Sequence, residues 1–168
     1  MPTHVLQDGE VQLYTNHPKF PAPDPARVQD CLLDIAANGD TAVHAFKLDL
    51  VRDIDNDAGK LMLEIRFKSH RNGRFDPASR ALSIEVNFQF RFSLEALPGV
   101  VVAKATLKLD TTTGTVQMPD GSPLQGQHVG ADGTVVLVGQ GTMQSDEAQL
   151  QGVRCSFRLT GRLDPSPA

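Results

Sequence analysis

From position 82 to position 95 the chain alternates without a miss. Leu82, Ile84, Val86, Phe88, Phe90, Phe92 and Leu94 are apolar, and Ser83, Glu85, Asn87, Gln89, Arg91, Ser93 and Glu95 between them are polar. Period two is the geometry of a β-strand with one apolar and one polar face. At about 3.3 Å per residue the alternating stretch would be roughly 45 Å long, well beyond the usual five or six residues. A strand of that length must twist and coil, which places it in a barrel or a strongly bent sandwich.

The same pattern recurs along the chain. Val5 to Tyr14, interrupted by Asp8-Gly9, reads as a first strand or short hairpin. Val28 to Ala37 fits a helix through Val28, Leu32, Ile35 and Ala36, and a strand through Cys31, Leu33 and Ile35. The Asn38-Gly39 that follows favours the strand, with a type I′ turn, and a helix ended by Gly39 is the alternative. Ala42, His44, Phe46, Leu48 and Leu50 then alternate with Val43, Ala45, Lys47 and Asp49, and Leu61, Leu63, Ile65 and Phe67 with Met62, Glu64, Arg66 and Lys68. After Leu97-Pro98-Gly99, the run from Val101 to Leu109 mirrors the long strand. Thr134 to Met143, with Gly139 and Gly141 expected at bulges or a tight corner, and Val153 to Leu163 complete the series.

Between these segments the punctuation is clear. Pro18, Pro21, Pro23 and Pro25 mark residues 16–27 as an extended segment, because proline withholds the backbone donor. His70 to Arg80, with Asn72-Gly73 and Asp76-Pro77, reads as a loop, as does Pro119 to Gly133. Asp164 to Ala168 reads as a frayed tail. The expectation is one all-β domain over residues 1–168, an antiparallel barrel of about eight to nine strands in largely meander order, with a β-sandwich as the alternative.

A chain of 168 residues buries roughly 70% of its unfolded surface, enough for a core without disulfides or metal. The net charge of −4 makes no case for nucleic acid or an anionic membrane as partner. No apolar run approaches the ~20 residues of a membrane-spanning helix, and the first residues do not resemble a signal peptide, so the expected location is cytoplasmic. Cys31 and Cys155 read as separate buried thiols. With no Trp and only Tyr14 as tyrosine, the stacking faces of lectins and of single-strand binders are missing.

Val138-Gly139-Gln140-Gly141-Thr142-Met143, followed by Leu150-Gln151-Gly152-Val153-Arg154 and Phe157-Arg158-Leu159-Thr160-Gly161, resembles the closing hairpin of the allene oxide cyclase and dirigent barrels. The resemblance covers about thirty residues. It implies a barrel with a ligand cavity and transfers no catalytic residue.

Four groups of residues have chemistry worth following. Asp53, Asp55, Asp57 and Glu64 match calcium-loop positions one, three, five and twelve, but Ala58 stands where that loop needs glycine, so no metal is expected. His70, Arg71, Arg74 and Arg80 form a candidate anion rim, since Arg grips carboxylates and phosphates bidentately. His44 falls in an apolar row, as a core imidazole or a lumen acid/base. The last group is the long strand itself. If its apolar face lines the barrel, Phe88, Phe90 and Phe92, with Phe46 and Phe67, fill the interior or enclose an apolar ligand. If the polar face points inward, Glu85, Asn87, Gln89 and Arg91 line the lumen, and Glu85, Arg91 and His44 are the catalytic candidates. The leading expectation is binding of a small apolar molecule in a barrel cavity, with no cofactor. A cofactor-free isomerase or cyclase is the second reading, and a homo-oligomer associating through a sheet face the third.

Overall fold

In the computed structural model the described residues are 3–15, 24–53, 60–68, 70–94, 100–112, 116–117, 121–146 and 151–168, with the backbone alone at 15, 24–26, 48–53, 60–68, 70–72, 88–94 and 100–103. The period-two segments become strands, and no helix occurs among the described residues. The strands are β1 (Thr3–Thr15), β2 (Asp24–Ile35), β3 (Asp40–Asp53), β4 (Lys60–Lys68), β5 (His70–Phe75), β6 (Leu82–Leu94), β7 (Val100–Asp110), β8 (Thr134–Thr142), β9 (Gln144–Ser145) and β10 (Arg154–Asp164). β4 and β5 follow each other along both β3 and β6 and so share one place in the sheet, while β9 prolongs β8 along β7. β10 pairs with β8 on one side and β1 on the other, and this closes an eight-place antiparallel barrel in meander order. Closure leaves no long unpaired edge, which is what a set of two-faced strands needs and a sandwich would not supply.

The barrel bends where the alternation slips. In β1 the register shifts between Gln7 and Glu10, with Asp8 at φ 53°, so Leu6, Gly9 and Val11 all turn inward in one bulged strand instead of a hairpin. In β2 and β3 the pairing shifts between Val28 and Asp30 and again between Leu32 and Leu33. Each extra residue changes the face of everything after it. Three adjacent strands therefore kink together.

Several turn expectations change for local reasons. Ala36 to Gly39 closes with Gly39 N–H donating to Ala36 O at 2.9 Å, and only Gly39, at φ +94°, is left-handed. That is a type I turn with a glycine bulge, not a type I′ turn, which would also need positive φ at Asn38. Asn72-Gly73 is no turn at all. Gly73 lies inside β5, where a Cβ would meet Thr41 O at 2.8 Å and Ser83 O at 2.9 Å, so it is glycine because two strands press on it. The loop foreseen from His70 to Arg80 shrinks to 76–81. Residues 24–27 of the foreseen Pro-rich connector belong to β2. Pro25 lies beyond Arg27, the last β2 residue paired with β3, and opposite Gln12 of β1, so it withholds no donor from the β2–β3 ladder. Gly139 and Gly141 sit in an unshifted register with β10, without a bulge.

One end of the barrel is sealed. Arg80 turns its guanidinium away from solvent, donating from Nε to Val129 O at 2.8 Å and from Nη2 to Gly130 O at 3.1 Å and Ser166 Oγ at 2.9 Å, with its charge 5.7 Å from the centre of the Phe75 ring. His4 Nδ1 meets Pro165 O at 2.5 Å, and Leu82 N–H donates to Thr111 Oγ1, which in turn meets His128 Nδ1. The C-terminal residues read as a loose tail are thus tied to both the N-terminal strand and the β7–β8 connection. Two residues of that connection, Val116 and Leu124, pack on Val138 at the outside of the barrel beside Tyr14 and Val136.

Candidate functional site

Which face of β6 points inward decides most of the functional candidates. Ile84 and Val86 have no exposed surface and Leu82 has 1%, whereas Ser83, Glu85 and Asn87 are only half-buried. The apolar face lines the interior, and at the sealed end that interior is solid: Phe75, Phe157, Leu33, Leu107, Leu137 and Leu159 fill it. Glu85 is therefore not a lumen acid. It stands on the outer face opposite Lys108, two places from a Thr106 hydroxyl that donates to Asn87 Oδ1 at 2.6 Å. Phe46 is buried in the same core.

The other proposed ligand positions fall where the backbone alone is described. Pairing of β6 with β7 runs without a shift from Ser83–Asp110 to Ser93–Val100, and pairing with β4 from Leu61–Leu94 to Lys68–Asn87. Positions 88, 90 and 92 thus keep the parity of 82, 84 and 86, with Phe67 opposite Phe88 and with Ala105 and Ala103 opposite Phe88 and Phe90. Arg91 and Gln89 keep the opposite parity, that of Glu85. The calcium-type positions Asp55 and Asp57 lie outside the described residues. Among the described residues no group of three or more His, Cys, Asp or Glu is placed to hold a metal ion.

His44 is displaced from the lumen by the β3 bulge. Val43 and Phe46 are both buried, three residues apart, and the His44 side chain is 52% exposed on the outside. There it pairs through Nε2 with Asp34, whose other oxygen accepts a hydrogen bond from Thr3 Oγ1 at 2.8 Å. Asp34 was not legible as a site residue, because β1, β2 and β3 must first pair to bring Thr3, Asp34 and His44 together. The Thr3 hydroxyl, with help from His44 and against partial burial, holds the Asp34 carboxyl below its ordinary value of 3.8. Since the folded value is the lower one, the Asp34 carboxylate, held by Thr3, stabilises the fold above its ordinary value, and the contribution fades as pH falls through the folded value. Thr3→Val should return the Asp34 titration toward 3.8 and flatten the acid limb of the melting curve. An unchanged carboxyl titration by NMR would remove Thr3 as the cause.

The anion rim does not assemble as expected. Arg74 is exposed on β5 and reaches Asp40 at 3.6 Å, while Arg80 is committed to two carbonyls and Ser166. The side chain of Arg71 is outside the described residues. Asp76, between Arg74 and Arg80 in sequence, accepts from Ala78 N–H and Ser79 Oγ, which hold its carboxyl low and shape the 76–81 turn.

Cys31 and Cys155 are both buried and unbridged, and burial pushes each thiol up to about 12. Neither is a nucleophile at neutral pH.

A cleft of about 530 Å³ opens on the outside of the barrel, between the docked segment around Gln117 and the outer faces of β8 and β10. Register pairs Arg154 with Thr142 and Ser156 with Gln140 across its floor. Ser156 Oγ donates to Gln117 O at 2.7 Å and ties the covering segment down. No sequence motif marks this cleft. The only hint is the pair of apolar residues Val116 and Leu124 in a polar connection, which implies that the connection docks on something.

Comparison with known proteins adds no relative: no family model, no curated protein and no solved structure matches the chain. Among the described residues no helix is long and apolar enough to cross a membrane.

Proposed function

We propose that this protein binds a small, largely apolar molecule inside the barrel, at the end opposite the Arg80 seal. The observation that carries this reading is the continuation of the inward row of β6 past its packed residues Leu82, Ile84 and Val86. The sealed half is packed by its own side chains and held shut by Arg80, His4 and the C-terminal residues. Toward the other end, β4, β6 and β7 continue in unbroken register through Phe67, Phe88, Phe90 and Phe92, and the β7 positions opposite Phe88 and Phe90 are alanines. Aromatic positions facing small ones on adjacent strands suit a pocket that a greasy molecule fills. The likeness of the C-terminal hairpin to ligand-binding barrels supports the same reading.

The isomerase alternative loses weight, since the acid/base candidates Glu85 and His44 face outward. Association through a sheet face has little support too. Among the described residues the only large hydrophobic side chain that is exposed is Val5.

Native mass spectrometry of freshly purified protein, followed by denaturing extraction, should yield a retained apolar compound. Phe90→Arg is expected to weaken its binding by at least about a hundredfold, because an unpaired charge would be forced into an apolar site. Gln89→Ala, at the opposite parity, should leave binding nearly unchanged. Equal effects at the two positions, or no saturable binding by a panel of fatty acids and terpenoids, would refute the proposal.

A further inference from the structure

The chain contains two Asn-Gly pairs, Asn38-Gly39 and Asn72-Gly73. In such a pair no side chain on the glycine shields its nitrogen, which can reach back to the side-chain amide carbon of the asparagine. The fold treats the two pairs differently. Asn72-Gly73 lies inside β5, with Gly73 opposite Thr41 of β3 and the next residue, Arg74, opposite Ser83 of β6. Carbonyls of both neighbouring strands press on Gly73, so the backbone there is gripped from two sides. Asn38 instead stands exposed at the tip of the β2–β3 turn, between exposed Ala37 and exposed Asp40.

Three hydrogen bonds hold the reacting groups of Asn38-Gly39 out of use. Gly39 N–H donates to Ala36 O at 2.9 Å, and a nitrogen that must shed its proton to attack keeps it while that bond lasts. Asp40 N–H donates to Asn38 Oδ1 at 2.9 Å, and Asn38 Nδ2 donates to Asp40 Oδ2 at 3.1 Å, so the carboxamide is turned toward residue 40. All three bonds lie within five residues at the surface. They can open without disturbing the core, whereas freeing residues 72 and 73 means parting β5 from β3 and β6.

We infer that Asn38 is a site of spontaneous deamidation, held intact by the closed β2–β3 turn and released to react when that turn opens by itself, while Asn72 is spared as long as β5 stays paired. In the reaction Gly39 N loses its proton to solvent and bonds to Asn38 Cγ, the Cγ–Nδ2 bond breaks, and ammonia leaves. Water then opens the cyclic imide at either carbonyl and leaves aspartate or isoaspartate. Either product replaces a donor to Asp40 by a second negative charge beside it, where the only cation within reach among the described residues is Arg74 at 3.6 Å. Isoaspartate also adds a methylene to a backbone with no slack, since Gly39 O accepts Phe75 N–H at 2.7 Å and even a Cβ on Gly39 would collide with Phe75 O. The modification therefore loosens β5 from the turn. It is independent of any molecule bound in the interior.

The test is peptide mapping by mass spectrometry during incubation in mildly alkaline buffer, with the native chain and the urea-unfolded chain side by side. In the native protein, aspartate and isoaspartate are expected at position 38 well before position 72, and at similar rates at both positions in urea. Conversion at position 38 should be slower in the native chain than in urea by about tenfold or more, the scale of one or two hydrogen bonds that must open first. Asp40→Ala removes the acceptor of Asn38 Nδ2 and should speed conversion at position 38 about threefold or more, while slow conversion at position 72 shows that the variant is folded. The modified fraction, separated by its added charge, should melt below the unmodified protein. The inference is overturned if position 72 converts as fast as position 38 in the native chain, if position 38 converts as fast folded as in urea, or if Asp40→Ala leaves its rate unchanged. Conversion confined to urea would overturn it as well, because the turn would then not open by itself.

Discussion

Gly133→Ala is expected to destabilise the protein by about 2–5 kcal/mol in urea unfolding. Two separate penalties meet at this residue. Gly133 has φ +90°, a left-handed conformation that costs an L-residue with a Cβ about 1–2 kcal/mol. The added Cβ would also collide with backbone, at 2.1 Å from Leu163 O and 3.1 Å from Leu163 C. That backbone cannot yield cheaply, because Leu163 N–H donates to Gly133 O at 2.8 Å and Gly133 N–H donates to Gly130 O at 2.9 Å, next to the carbonyls that Arg80 holds. Moving it would loosen the seal. Gly121 and Gly152 are the controls, at φ +92° and +79° but with nothing within 4 Å of a built Cβ. Gly121→Ala and Gly152→Ala should each show only the conformational penalty, about 1 kcal/mol. Equal losses at all three positions would mean that the contact between residue 133 and β10 is not tight.

Phe157→Ala is expected to cost about 3–5 kcal/mol, the range for truncating a buried aromatic ring in a close-packed interior. Phe157 is 2% exposed and stands on β10 between Leu13 of β1 and Gly139 of β8. Phe157→Leu keeps most of the volume and should cost less than about 1.5 kcal/mol. The pair of variants also tests whether the sealed half is solid. Phe157→Ala should create a dry cavity that takes up a small apolar probe such as xenon, at a position where the native chain takes up none. A loss below about 1 kcal/mol, with xenon found beside Leu13 in the native protein, would show that the interior holds space there already.

Strand identity, and a barrel as the leading architecture, were legible in the sequence because period two is a local property. Leu82, Ile84 and Val86 announce an apolar face by themselves, and the mirrored run in β7 announces its partner, but that this face points inward came only from the structure. The site candidates fared differently, and His44 shows why. Its even-numbered place in the row Ala42, His44, Phe46 pointed inward, but the bulge opposite Leu32 and Leu33 exists only when β3 pairs with β2, and it moved His44 outward onto Asp34. Arg80 looked like a rim cation until the β7–β8 connection folded back to offer it the carbonyls of Val129 and Gly130, fifty residues away in sequence. The outer cleft depends on two alignments, β8 on β10 and Val116, Gln117 and Leu124 on both, and neither leaves a trace in local pattern.

Composition and periodicity by themselves determined a set of two-faced antiparallel strands and favoured a barrel over a sandwich, since burying alternate side chains has few solutions for such strands; the pairing of β10 with β1 and β8 decided for the barrel. The tertiary structure alone decided which end is sealed, which polar groups face out and where a polar cleft opens. Those outcomes rest on bulges, docked connections and carbonyl partners, whose energies come from contacts between residues far apart in the chain.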